Sequence, residues 1–137
     1  MKYTIIKPQS INPHMAEKHF SAAFDRLKDS DKKTAFESMV QDLKSGRATW
    51  YHLRSDSINL HMVTRVAGES LIIDAMQGKG MMSAALDIIR RARAMGYRSI
   101  QFETIKKGMR KMLAQFGFVE VERYDDGATL HEKKFKW

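Results

Sequence analysis

The chain has 137 residues, no cysteine and a formal net charge of +8. Missing thiols exclude a disulfide framework, a cysteine nucleophile and cysteine-ligated zinc. A length usual for one domain buries enough surface to need neither staple nor metal. The basic surface attracts anions (nucleic acid, an acidic protein or a phosphorylated cofactor) without choosing among them.

The opening MKYTIIKPQS has neither the apolar run nor the cleavage pattern of a signal peptide. No apolar stretch approaches the roughly 20 residues of a membrane span. We therefore expect a soluble, cytoplasmic protein without a membrane partner, folded as one domain over residues 1–137.

Residues 2–7 read as a short strand. Asn12 before Pro13 predicts a helix start, because Asn caps well and Pro suits the first helical position. Phe20, Ala23, Phe24 and Leu27 then recur at helical spacing. Asp29-Ser30-Asp31 breaks this pattern and offers a second cap. Phe36, Met39, Val40 and Leu43 stripe a second helix that ends near Gly46.

The period then changes. Residues 49–54 and 58–66 read as strands joined by a turn at Ser55-Asp56-Ser57. After Ala67-Gly68, the run Leu71-Ile72-Ile73 reads as a strand buried on both faces.

A glycine-bearing turn, Gln77-Gly78-Lys79-Gly80, leads into a helix with Met81, Ala85, Ile88, Ala92 and Met95 on one face. Residues 99–104 alternate, with Ile100 and Phe102 on one side and Gln101 and Glu103 on the other. Met109, Met112, Leu113 and Phe116 mark a last helix, closed by Gly117. Asp126-Gly127 joins two final strands. The order is β-α-α-β-β-β-α-β-α-β-β. The crossovers demand parallel pairs and the hairpins antiparallel ones, so the sheet is mixed.

The strand-to-helix junction is the part that can carry chemistry. Glycines let a ligand approach the backbone. The first amides of a helix lack internal partners and carry partial positive charge, so together they suit a phosphate. The spacing fits neither a P-loop nor a dinucleotide fingerprint.

Gln77-Gly78-Lys79-Gly80-Met81-Met82-Ser83-Ala84 resembles the acyl-CoA-binding signature of the GNAT acetyltransferase family. The next helix with its Ala94-Met95-Gly96-Tyr97 end, the strand at 99–104 and the helix closing in Gly117-Phe118 follow in that family's order. The resemblance covers about residues 69–124, and the N-terminal part matches in element order. It implies an α/β (α+β) fold with a mixed, mainly antiparallel sheet flanked by helices.

It also implies a site. The backbone amides of Gln77, Gly78, Lys79, Gly80, Met81 and Met82 would hold the pyrophosphate of coenzyme A. The strand edge at Asp74, Ala75 and Met76 would bond the pantetheine arm, in a slot opened where this strand splays from the one at 99–104. Two positions depart from the pattern. Met82 stands where the signature ends in a small residue, able to crowd the pyrophosphate or to enter the core. Leu113 stands where many members carry a tyrosine that protonates the departing thiolate.

Transfer to an amine needs a group that takes its proton. Asp74, on an apolar strand, has the partly desolvated setting that raises a carboxylate's pKa. It reads equally as a carboxylate capping nearby amides. Glu103, on the facing strand, is the second candidate base, against a reading as an exposed strand position. Tyr124 is the nearest alternative proton donor. His61 titrates near neutrality when unperturbed but reads better as a structural histidine. The five histidines show no metal-ligand spacing.

Three functions compete. The leading one is an acetyl-CoA-dependent N-acyltransferase that moves the acetyl group directly to an amine acceptor, a small molecule or a protein. The second is a GNAT-like binding or structural module with altered catalysis, since the small size and spare N-terminal half resemble GNAT-like proteins of tailed phages. The third is a nucleic-acid binder, with Lys106, Lys107, Arg110 and Lys111 on phosphate and Trp50, Tyr51 and Trp137 as stacking platforms.

Overall fold

A computed structural model describes residues 1–25 and 27–136; Trp137 lies outside them. Seven strands form one sheet: β1 (Lys2–Ile5), β2 (Ala48–Arg54), β3 (Asn59–Ala67), β4 (Ser70–Lys79), β5 (Ser99–Thr104), β6 (Val119–Arg123) and β7 (Thr129–Lys134). The helices are α1 (Pro13–His19), α2 (Asp29–Ser45), α3 (Met81–Ala94) and α4 (Lys107–Gln115), with a short 3-10 turn at Pro8–Ser10. Element order and class follow the sequence reading.

Across the sheet the order is β1-β2-β3-β4-β5-β7-β6. Neighbours run antiparallel except β4 and β5, which α3 joins by a crossover and which lie parallel.

Each face of the sheet carries its own core. Phe20, Phe36, Met39, Val40 and Leu43 pack with Trp50, Val63 and Ala75 under α1 and α2. Leu53, Leu60, Met62 and Ile73 pack with Ala84, Ile88, Ala92 and Leu113 under α3 and α4. Side chains alternate faces along a strand, so Ile73 and Ala75, two residues apart, belong on one face. They sit in opposite cores. The cause is a β-bulge: Val63 pairs with Ala75 and Thr64 with Ile73, which leaves Asp74 as the extra residue.

Local departures from the sequence reading have physical reasons. The Asn12 cap forms, its Oδ1 accepting from the Met15 amide at 2.9 Å, but α1 stops at His19. Phe20 is buried as the C-cap of α1 and Phe24 packs partly buried from the following turn, so their spacing records burial rather than helix. Lys28 is the N-cap of α2, and Asp29 and Asp31 occupy its first turn, where carboxylates complement the helix dipole. Leu71 and Ile72 are only partly buried. Gln77-Gly78-Lys79 is strand rather than turn, paired with His61, Leu60 and Asn59. Only Gly80, at φ 89°, turns the chain into α3.

Candidate functional site

β4 pairs with β5 only from Ser70 to Ile73, against Ser99 to Phe102. Beyond the bulge the two strands part. On the side away from β3, residues 74–79 thus present an open edge, and every second residue of such an edge offers an unpaired N–H and C=O. The gap is a slot of about 200 Å³. Ala75, Met76, Gln77 and Gly78 line one wall and Phe102, Glu103 and Thr104 the other, with Met109 at one end and Ala22 and Ala23 across it. Shape and donors suit an extended arm bearing amides, so the residues present fit the pantetheine part of coenzyme A.

The glycines serve a different contact from the one their motif suggests. A Cβ on Gly78 would lie 2.3 Å from the Asn59 carbonyl oxygen, and one on Gly80 would lie 2.6 Å from that of Ser57. Both glycines therefore let β4 close on the β2–β3 turn. Met82 settles differently again. Its side chain is 56% exposed, so it enters no core, and it is not part of the slot wall. Leu113 is buried with Phe102 and Phe118, so the family's tyrosine position is core in this chain.

Gln77 contributes through its side chain. Its Oε1 accepts from the Ala22 amide at 2.9 Å and its Nε2 donates to Ser21 Oγ at 3.1 Å. It thereby pins the α1–α2 turn beside the slot. No pattern in the sequence marked that role.

A second cavity, about 430 Å³, opens on the α2 face. Asp74 and Glu103 line both it and the slot, and Tyr124 lines this one. The three residues singled out for proton transfer are therefore brought together. Phe24, Met39, Val63 and Leu130 supply apolar walls, while Asp42, Asp74 and Glu103 outnumber one cation, Arg65. Against a chain of net charge +8, this cavity is acidic.

Arg65 Nε donates to Asp74 Oδ1 at 2.9 Å, with the carboxylate side chain 28% exposed. Burial pushes the Asp74 carboxyl above its ordinary value, and Arg65 pulls against it. Burial also raises the Tyr124 phenol, helped by Glu122 and Glu103. Its hydroxyl donates to Glu122 Oε2 at 3.3 Å.

His61 lies apart from both cavities, in a stack of imidazoles. Its ring is 4.1 Å from His52, nearly parallel, and 4.1 Å from His19 on the other side. Trp50 Nε1 donates to its Nδ1 at 3.0 Å, which fixes the tautomer. Trp50 itself is buried in the core rather than free to stack on bases. Among the described residues no group of histidines and carboxylates could hold a metal. Of the basic group on α4, Arg110 is spent on structure: its Nη2 donates to the Gly127 carbonyl at 2.5 Å.

The architecture and splayed central pair define a GNAT-like fold, and comparison with solved structures bears this out. The chain superposes on the IAA acetyltransferase from Bacillus cereus ATCC 14579 with a TM-score of 0.64 at 10% identity, covering 98% of this chain and 99% of that one. The ribosomal-protein-S18-alanine N-acetyltransferase from Escherichia coli gives 0.64 at 13% identity, over 97% and 92%. The GNAT domain of S. lividans PAT gives 0.56 at 16%, over 97% and 89%. No protein-family model matches the chain, and no curated protein matches it in sequence. Among the described residues no helix is long and apolar enough to cross a membrane.

Proposed function

We propose that the protein is an N-acyltransferase that takes an acyl group from acyl-CoA, most simply acetyl-CoA, and delivers it to a cationic amine. The observation that carries this reading is the junction at Asp74 and Glu103. One cavity there has an open strand edge suited to the pantetheine arm, the other is acidic, and both residues face both cavities.

Bound acyl-CoA supplies the acyl group as a thioester. The acidic cavity draws in the amine as its ammonium ion. Asp74, whose carboxyl burial raises above its ordinary value, takes the proton that must leave before nitrogen can attack, directly or through one water. Arg65 orients that carboxylate. As the new C–N bond forms and the C–S bond breaks, Tyr124 gives its proton to the departing thiolate and regains one, through water, from the nitrogen as the amide forms. The open amides of β4 steady the pantetheine arm, and those at the start of α3 meet the pyrophosphate.

The burial of Leu113 supports a second reading, a GNAT-like module that binds acyl-CoA without transfer. Calorimetric titration with acetyl-CoA, followed by a thiol-release assay over a panel of amines, separates the two. Binding with release supports the transferase, and binding without release supports the module. Failure to bind at about 1 mM, the affinity of a 4 kcal/mol interaction, overturns both.

A further inference from the structure

A larger cavity borders this site, sharing Asp42 and Arg65 with the acidic cavity. It is a groove of about 710 Å³ on the α3 side of the sheet, between α3, the face of β1–β3 and the end of α2. That volume is within the range of small-molecule sites. Its floor is apolar: Met62, Ile88 and Ala92 are buried there, beside Leu71. Three tyrosines, Tyr3, Tyr51 and Tyr97, stand along it.

The polar groups of the groove are mainly hydrogen-bond donors. Its charged side chains are three arginines, Arg47, Arg65 and Arg91, and a single carboxylate, Asp42. Each guanidinium meets its aspartate through Nε, at 3.0 Å for Arg47 with Asp42, 2.9 Å for Arg65 with Asp74 and 3.0 Å for Arg91 with Asp87. Those contacts leave the terminal Nη groups for a further acceptor. Arg91 also lies 4.0 Å above the Tyr3 ring, held there by Asp87, which accepts from Tyr3 Oη at 2.6 Å. The Tyr3 and Tyr51 rings meet edge to face at 6.3 Å. Among the described residues the Tyr51 and Tyr97 hydroxyls have no hydrogen-bond partner.

We propose that this groove is a second binding site, for a small planar aromatic anion whose ring rests among the tyrosines and whose acid group meets the arginine Nη groups. Flat rings pair well with tyrosine edges and faces. Guanidinium forks recognise carboxylates and sulfonates, and their charge excludes a cationic guest. The groove and the slot share no lining residue, so the proposal does not rest on acyl-CoA binding; Asp42 and Arg65 line both the groove and the acidic cavity, which makes those two sites neighbours.

The probe is 2-naphthoate, titrated into the full chain and followed by amide NMR, with 2-naphthalenemethanol as its neutral twin. Saturable shifts are expected at Thr49, Tyr51, Thr64, Ala92 and Tyr97. The alcohol should bind at least about tenfold more weakly, the loss of one charge-assisted contact worth about 1.4 kcal/mol. Arg91→Gln should lower naphthoate affinity by a similar factor while the alcohol is unaffected. Met95→Trp, at a rim position 66% exposed, should block both ligands without unfolding the chain.

Several outcomes overturn the proposal. Equal binding of acid and alcohol removes the anion. Shifts confined to residues 74–82 and 103, or displacement by coenzyme A, place the probe in the slot. No saturable shift up to about 10 mM leaves no site of even millimolar strength. A concentration-dependent dimer that buries the groove amides assigns the face to a second copy of the chain.

Discussion

The two halves of β4 behave as different strands. From Ser70 to Ile73 it is paired on both sides, with β3 and with β5. From Ala75 to Lys79 it is paired on β3 alone. The first half is scaffold. The second half presents its other edge to a cavity, and a single inserted residue, Asp74, separates them. The bulge thus opens the slot and puts the candidate base at the slot's corner. If that division is right, changes in the second half should separate chemistry, cofactor affinity and folding from one another.

Asp74→Asn should have the largest effect. It keeps the shape of the side chain and a hydrogen-bond acceptor for Arg65, and removes the basicity. A general base is commonly worth about 10²–10⁴-fold in rate, so kcat/KM for acyl transfer should fall by that order. Affinity for acetyl-CoA should change by less than about threefold, since the strand edge binds through its backbone. Equal losses in rate and affinity would mean that Asp74 supports the slot rather than the proton. The pH profile of the unsubstituted protein sharpens the point. Because the Asp74 carboxyl is raised, the rate should fall with decreasing pH at a higher pH than for an ordinary carboxylate.

Gly78→Ala tests the opposite property of the same half-strand. The new methyl would meet backbone, the Asn59 carbonyl oxygen at 2.3 Å, at a φ of 136° that side chains rarely adopt. Neither neighbour can yield by rotating a side chain. We expect about 2–4 kcal/mol of lost stability in urea denaturation. A variant of full stability with weakened acetyl-CoA binding would return Gly78 to the role its motif suggests.

Ala22→Trp should be milder and of a different kind. Ala22 borders the slot from the α1–α2 turn, where its amide is held by Gln77. An indole there fills the entrance while the backbone bond survives. Acetyl-CoA affinity should fall at least about tenfold, with the unfolding midpoint nearly unchanged. Unaltered affinity would move the cofactor away from this turn.

How far the sequence led depends on what each signal encodes. Periodicity records burial, so it found the strands and helices in order. It put Phe20 and Phe24 in a helix because a helix cap and the turn after it, packing two phenylalanines on the core, leave the same spacing. Glycine was read as a break at Gly78 because glycine is usually costly within a strand. Here it admits the neighbouring backbone, a tertiary demand that no local window contains. Asp74 stood out as a charge in an apolar run, and the bulge gives that oddity its cause. Arg65 gave no comparable sign, because its partnership with Asp74 depends on the β3–β4 register. Tyr124, Glu103 and Asp74 were each proposed separately, and their convergence on one cavity needed the sheet order β4-β5-β7.

The smallest expected effect contrasts the site with the histidine stack beside β4's paired edge. Burial, with His19 and His52 alongside, lowers the His61 pKa from 6.5 to about 4. Lys18 and His52 act in the same sense on His19, after burial. A lowered pKa means that the folded chain binds fewer protons than the unfolded chain between about pH 4 and 6.5. Stability must therefore fall as pH drops through that window and be fully present above it. Because the stack is partly solvated, we expect about 1–2 kcal/mol, less than the full shift implies. His61→Gln keeps an acceptor for Trp50 Nε1 and should flatten the urea midpoint between pH 6.5 and 4, leaving the pH dependence of acyl transfer in place. If the substitution instead shifts the catalytic profile, the stack is coupled to the base at Asp74. The two edges of β4 would then not be independent.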